Sequence, residues 1–333
     1  MKFWASSYLV LLFLHFHGCE SLLQIHYNFR STKFPRSVLL KMEKQSDEGS
    51  CNNTANKSSS QQCVEFDYEN SNKRPDKAME ETYDRLAKEA ISTLTELGKY
   101  QLLWIGLAGA PGSGKSTLGE AVVERINDQG IPAVLVSMDG WHYTQEEMKH
   151  MKYDMKRRGA PWTIDAEKMY RDLNCAQSKC CCEAWLPGYS REISDPVSNQ
   201  VHLTCDHRII IVEGLYVLLG LLSVEAFIQG AEFDEVSKQL DCPHDVRKEI
   251  ERYRSISKLW DQKWFVEPLE GFEENKRRLI ERSLQTWTEE KTSRFGGGTA
   301  RVAVERRVEG NDAKNGRLIT CCKPTADILI HSI

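Results

Sequence analysis

Gly109-Ala110-Pro111-Gly112-Ser113-Gly114-Lys115-Ser116-Thr117 fits the phosphate-loop pattern of a Gly, four residues, then Gly-Lys-Ser. The apolar run Leu102 to Leu107 precedes it, and Leu118, Ala121, Val122 and Ile126 follow at helical spacing until Gly130. The loop therefore joins a strand to a helix, which is the context the motif requires. Its glycines let successive backbone N–H groups face a phosphate, and the helix start adds the positive end of its dipole. Lys115 is expected to reach the β- and γ-phosphates of ATP, and Ser116 to hold Mg²⁺.

A chain of 333 residues can bury a substantial core, as one large or two modest domains. A formal net charge of −4 gives no electrostatic footprint for a nucleic-acid partner, whereas a local loop can still bind a small anion. The eleven cysteines are odd in number, and Cys180, Cys181 and Cys182 are consecutive. That suits reduced thiols better than a disulfide framework.

The N-terminus combines Lys2 with an apolar run to Leu14, in the manner of a signal peptide, and the run is too short and too broken for a comfortable membrane span. From Ser21 to Met42 there is no acid, while Arg30, Lys33, Arg36 and Lys41 stand among serines and a threonine, as in transit peptides. The expectation is a two-step leader over 1–42 addressed to a plastid inside extra membranes, with a mitochondrial or cytoplasmic location as the alternative. No stable membrane anchor is expected. Residues 43–76 are polar with little to bury and read as a disordered linker. A folded phosphate-loop domain is expected over 77–333, opening with a helix whose apolar face includes Met79, Tyr83, Leu86, Ala90 and Leu94.

Within that domain, Ile131 to Met138 reads as a strand ending in Asp139-Gly140-Trp141-His142, and Ile209 to Val212 as a buried strand ending in Glu213-Gly214. Asp165 caps a helix from Ala166 to Leu173. Leu186 through Pro196 reads as loop and turn, and Val201 to Leu203 as a short strand. Residues 223–253 look like an insertion. Phe272 to Thr288 and Arg301 to Val308 read as helices on either side of Gly296-Gly297-Gly298, and Ala326 to Ile330 as a last strand. Strands alternating with helices predict an α/β, doubly wound, mostly parallel sheet of the P-loop NTPase fold with a helical lid.

Phosphoryl transfer needs the phosphates and Mg²⁺ held, a base near the acceptor hydroxyl, and cations over the migrating group. Asp139, at a strand tip beside the loop, either takes the acceptor's proton or serves as a turn or cap residue. Glu213 stands where a second acid organises Mg²⁺ or its water. His142 adjoins Asp139 and can bind substrate. Arg157 and Arg158 either contact substrate or form a solvated basic face. Arg278, Arg282, Arg306 and Arg307 flank the glycine break, as cations of a mobile lid would.

The phosphate loop, Met138-Asp139-Gly140-Trp141-His142, Lys156-Arg157-Arg158-Gly159-Ala160-Pro161 with Asp165 four residues on, Pro187-Gly188-Tyr189 and Ile211-Val212-Glu213-Gly214-Leu215-Tyr216 occur in the order seen in the phosphoribulokinase/uridine kinase family. Over about Ile105 to Ile330 the chain resembles that family's nucleoside/fructoside kinase-like branch, which includes fructose-transport-system kinases, with echoes of bacterial pantothenate kinase. The resemblance implies Asp139 as base and Tyr189 and Arg191 as pocket residues. It also likens Arg307-Val308-Glu309-Gly310-Asn311-Asp312 to a late element near the nucleotide. Trp141 where Phe is usual, the 223–253 segment and the absence of a uridine-pocket pattern are departures that bear on the substrate. The expectation is an ATP- and Mg²⁺-dependent kinase acting on a hydroxyl of a nucleoside, sugar or pantothenate-like metabolite. The alternative is a degenerate nucleotide-binding regulator with slow ATP hydrolysis. The sequence says nothing of oligomeric state.

Overall fold

The computed structural model describes residues 10–16, 19–25, 79–99, 101–178, 183–222 and 231–333. The chain divides into two units, Met1–Tyr68 and Glu69–Ile333. In the first, β1 (Val10–Phe16) pairs antiparallel with β2 (Cys19–Ile25). The rest of the expected leader, the linker and the three consecutive cysteines lie outside the described residues.

The second unit is an α/β P-loop NTPase fold. Its central sheet holds β3 (Leu103–Gly109), β4 (Ala133–Ser137), β7 (Ile209–Gly214), β8 (Gln262–Pro268) and β9 (Ile328–Ser332), in the order β4-β7-β3-β8-β9. All four pairings are parallel. Alternation along β3 divides the core. Leu103, Ile105 and Leu107 face α1 (Glu80–Leu97) and α2 (Lys115–Asp128), while Trp104 and Ala108 join Val136, Ile210, Val212 and Phe265 on the other face. A sheet buried on both faces needs near-continuous apolar strands, which is why Ile209-Ile210-Ile211-Val212 carries no polar residue. Central β3 has neighbours reached by opposite crossovers, so the crevice at its carboxyl end is the switch point where such sheets bind ligands.

Helix α3 is the short Gln145–His150, and α4 runs Ala166–Gln177, with Asp165 accepting from the Lys168 amide as its cap. The segment read as loop and turn is instead a hairpin. β5 (Glu183–Ser190) pairs antiparallel with β6 (Asp195–Thr204), and a register shift between Leu186 and Gly188 lets Pro187 sit at a bulge. Of the expected insertion, residues 231–253 are described. They form helices Ala231–Leu240 and Val246–Arg252 whose Leu240, Val246 and Ile250 lie in the main core, and the Tyr253 hydroxyl donates to the Pro161 carbonyl at 2.6 Å. Helices Phe272–Leu284, Glu289–Arg294 and Ala300–Arg307 then cover the crevice, before helix Ala313–Thr320 leads back to β9. Leu279, Val304 and Val308 give this cover a small core of its own.

Candidate active site

The phosphate loop leaves β3 at Gly109 and enters α2 at Lys115. Gly112 and Gly114 have φ of 85° and 87°, and a Cβ on Gly112 would stand 2.4 Å from the Asn275 carbonyl oxygen. Only glycine fits there. The first amides of α2 have no carbonyl to bond within the helix, so they remain available to an anion. Lys115 makes no hydrogen bond or ion pair among the described residues, leaving its ammonium for phosphate.

Glu213 ends β7 directly opposite Ser137 of β4. It is 5% exposed, and its Oε1 accepts from the Ser137 hydroxyl at 2.8 Å and the Ser116 hydroxyl at 3.2 Å. Its buried Oε2 has no hydrogen-bond partner. Burial pushes the carboxyl above its ordinary value, with Lys115 and the two serines pulling it back down. An orphaned carboxylate oxygen beside a serine hydroxyl is a donor set that suits Mg²⁺, directly or through water. Bound there, the ion would supply positive charge to the phosphate oxygens.

Asp139 lies in a single 3-10 turn, Met138–Trp141, immediately after β4. The Ser137 hydroxyl accepts from its amide at 3.4 Å, and its half-exposed carboxylate lines a cavity of about 740 Å³ shared with Lys115, Ser116, His142, Tyr189 and Arg282. The turn is held from two sides. A Cβ on Gly140 would meet the Pro187 carbonyl oxygen at 2.5 Å, so the hairpin closes against it, and the Trp141 indole N–H donates to Asp172 of α4 at 2.8 Å. Phe at 141 could not make that bond, so the departure at this position has a local partner.

The Nδ1 of His142 lies 2.9 Å from the Asp139 carbonyl oxygen, where only a protonated nitrogen bonds, so the neutral ring keeps its proton on Nδ1. Burial lowers the His142 pKa below 6.5, with Asp139 acting in the opposite sense. The folded state therefore resists protonation while the unfolded chain takes up a proton as pH falls through about 6.5. Stability contributed by this group is intact above that value and is lost on acidification below it. We expect the fall in the denaturant midpoint between pH 7.5 and pH 5.5, both chosen to bracket about 6.5, to be smaller in His142→Asn than in wild type. An equal fall in both would contradict the assignment.

Arg158 is tied to the Asp195 carboxylate at 2.6 Å and to the Tyr143 carbonyl at 3.1 Å, with its guanidinium 6.0 Å from the Tyr189 ring centroid. Its Nε and Nη1 are buried without partners. Arg157 points elsewhere. It donates to the Gly310 carbonyl, Asn311 Oδ1 and the Leu240 carbonyl, so it is a buried clamp and neither a solvated face nor a substrate contact. Of the expected lid cations, Arg282 and Arg307 line the cavity. Arg278 does not. It bonds Glu274 at 2.7 Å and the Ser332 hydroxyl at 3.0 Å, anchoring its helix to β9. Arg306 holds the carbonyls of the Gly296–Gly297 turn.

Three cavity residues, Asp312, Asn315 and Trp287, carried no individual signal in the sequence. Asp312 is buried, its Oδ2 lies 3.5 Å from Arg307 Nε, and burial raises its pKa against the pull of Arg307. Asn315 donates to the Gly159 carbonyl at 3.1 Å. The likeness of 307–312 to a late nucleotide-side element was the one hint to this face.

Fold and site together define a P-loop kinase-like protein. No family model matches the chain. A Schizosaccharomyces pombe protein provisionally named a uridine kinase is 36% identical over 144 residues, covering 42% of this chain and 60% of that one. A pantothenate kinase of Lactococcus lactis subsp. cremoris is 28% identical over 201 residues, covering 58% and 63%. The chain thus spans less than two thirds of either relative. The crystal structure of a Silicibacter protein provisionally named a fructose transport system kinase superposes with a TM-score of 0.55 at 25% identity, covering 74% of this chain and 98% of that one. The chain is thus similar to proteins whose names are uridine kinase, pantothenate kinase and fructose transport system kinase.

Proposed function

We propose that the protein is a kinase that transfers the γ-phosphoryl of ATP, with Mg²⁺, to a hydroxyl of a small metabolite. The observation that carries this reading is the convergence of Lys115, Ser116 and Asp139 in one cavity at the switch point of the sheet, with Glu213 bonded to Ser116 at its edge. In that arrangement the loop amides and Lys115 bind phosphate. Ser116 and Glu213 orient the metal. Asp139, held by its turn, accepts the proton of the acceptor hydroxyl. The lid helices with Arg282 and Arg307 exclude water from the migrating group.

The names of the relatives suggest which acceptors to try first. Purified protein, incubated with ATP, Mg²⁺ and uridine, fructose or pantothenate in turn, is expected to release ADP only with an acceptor present and only until EDTA is added. Acceptor-independent release of ADP would favour the slow-hydrolysing regulator instead.

We also propose that residues 1–42 are a plastid-directed leader, on the strength of the apolar run followed by the acid-free basic segment. A fluorescent fusion of the full chain in cells with such plastids is expected in the organelle. Deleting residues 1–20 is expected to leave it in cytosol or mitochondria. Secretion of the full fusion would overturn the address.

A further inference from the structure

Six cationic side chains and three carboxylates line the cavity, on a chain whose formal net charge is −4, so positive charge is concentrated where the chemistry is placed. Two of the four arginines there are partnered. Arg158 is held by Asp195 and Arg307 faces Asp312. The side chains of Arg191 and Arg282 make no hydrogen bond or ion pair among the described residues, although they lie in one cavity.

Arg282 is an exposed residue, although surrounding chain crowds its guanidinium. That desolvation first, and then the like charges of Arg191 and Arg307, hold its guanidinium below the ordinary value. Two cations that share a cavity, neither of them tied by an ion pair to a carboxylate among the described residues, are an arrangement that an anion relieves.

The position of the pair relative to Asp139 distinguishes it from the phosphate loop. Lys115 and Arg282 line the same cavity as Asp139, one from the phosphate loop and the other from the helix Phe272–Leu284. Arg191 belongs to the turn between β5 and β6, the hairpin that also brings Tyr189 to the cavity and supplies Asp195 to hold Arg158. The hairpin is therefore a built wall, fixed to the rest of the fold through Arg158 and Gly140.

We propose that the phosphoryl acceptor carries a negatively charged group, a carboxylate or a phosphate, that Arg191 and Arg282 bind while its hydroxyl faces Asp139. This rests on the kinase reading above. A neutral nucleoside or sugar leaves the arginine pair without an ion-pair partner, whereas a charged acceptor forms charge-assisted hydrogen bonds with planar guanidinium groups suited to either anion.

The test uses the full chain with Mg²⁺ and a non-hydrolysable ATP analogue, titrated calorimetrically with matched pairs: glycerate and glycerol, pantothenate and its alcohol, ribose 5-phosphate and ribose. The charged member of at least one pair is expected to bind about tenfold or more tightly than its neutral partner, and Arg191→Gln is expected to remove most of that preference while changing ATP-analogue affinity by less than about twofold. A preference confined to the first two pairs identifies a carboxylate, and one confined to the third identifies a phosphate. Equal binding of charged and neutral members, failure of every charged member to bind, or loss of ATP-analogue affinity in Arg191→Gln with the acceptor preference intact would each overturn the proposal. The kinase reading is separated by repeating the pairs with ATP. Arg191-dependent binding without phosphoryl transfer leaves the anion site standing and removes the kinase reading. Transfer to neutral acceptors without preference does the reverse.

Discussion

Replacing Lys115 with Ala is expected to reduce ATP turnover by about 10²- to 10³-fold or more while leaving the fold intact, because a preorganised cation facing transferred phosphate is among the largest single contributions to such sites. Lys115 is half-buried at the start of α2 and forms no hydrogen bond or ion pair among the described residues, so its removal breaks no packing and orphans no partner. The neighbouring Glu213 loses a favourable charge, which raises its proton affinity further. Circular dichroism and the denaturation midpoint should therefore match wild type while ADP release collapses. Wild-type turnover in Lys115→Ala would remove the phosphate-loop assignment.

Asp139→Asn keeps size and the turn but removes the proton acceptor. Phosphoryl transfer is expected to fall by about 10²- to 10⁴-fold, with binding of the ATP analogue nearly unchanged. The surrounding contacts make this a clean substitution. Ser137 and His142 hydrogen-bond the backbone of residue 139, its carboxylate lies no nearer than 3.8 Å to His142 Nδ1, and the Gly140 contact with Pro187 is likewise made by backbone. If transfer persists while nucleotide or acceptor binding weakens, Asp139 is a ligand and another group is the base.

The framework of the fold was legible because its signals are local. The phosphate loop between an apolar strand and an amphipathic helix, the acids at the ends of β4 and β7 and the Asp165 cap each declare themselves within a few residues. The β5–β6 hairpin was not legible, because Pro187 and Gly188 carry the signature of a turn while in the fold they occupy a bulge inside a strand. The helix Ala231–Leu240 escaped notice for a related reason: its described buried positions, Val236 and Leu240, give a single apolar spacing of four in a polar segment.

That Asp139 and Glu213 stand near strand ends was readable, whereas which side chains share the cavity depends on long-range folding. Whether a strand-end acid points to solvent or into the site is a tertiary matter, and the two hydroxyls that Glu213 accepts from come from positions 116 and 137. Arg157 and Arg158 are adjacent in sequence yet diverge, one clamping residues 240 and 310–311 and the other turning to Asp195. Arg278 and Arg282 lie one helical turn apart on the same helix, and only Arg282 reaches the cavity. Which arginine serves which role is fixed by contacts that no periodicity encodes.

The central claim is that the site moves a phosphoryl group to an acceptor and does not merely hydrolyse ATP. The most direct test is to supply ATP labelled in its γ-phosphate, with Mg²⁺ and the acceptor that best stimulates ADP release, and to follow where the label goes. One labelled phosphate ester is expected for each ADP formed, with inorganic phosphate a minor product, and loss of the ester in Asp139→Asn. Label recovered as inorganic phosphate alone, at a rate indifferent to every acceptor, would contradict it.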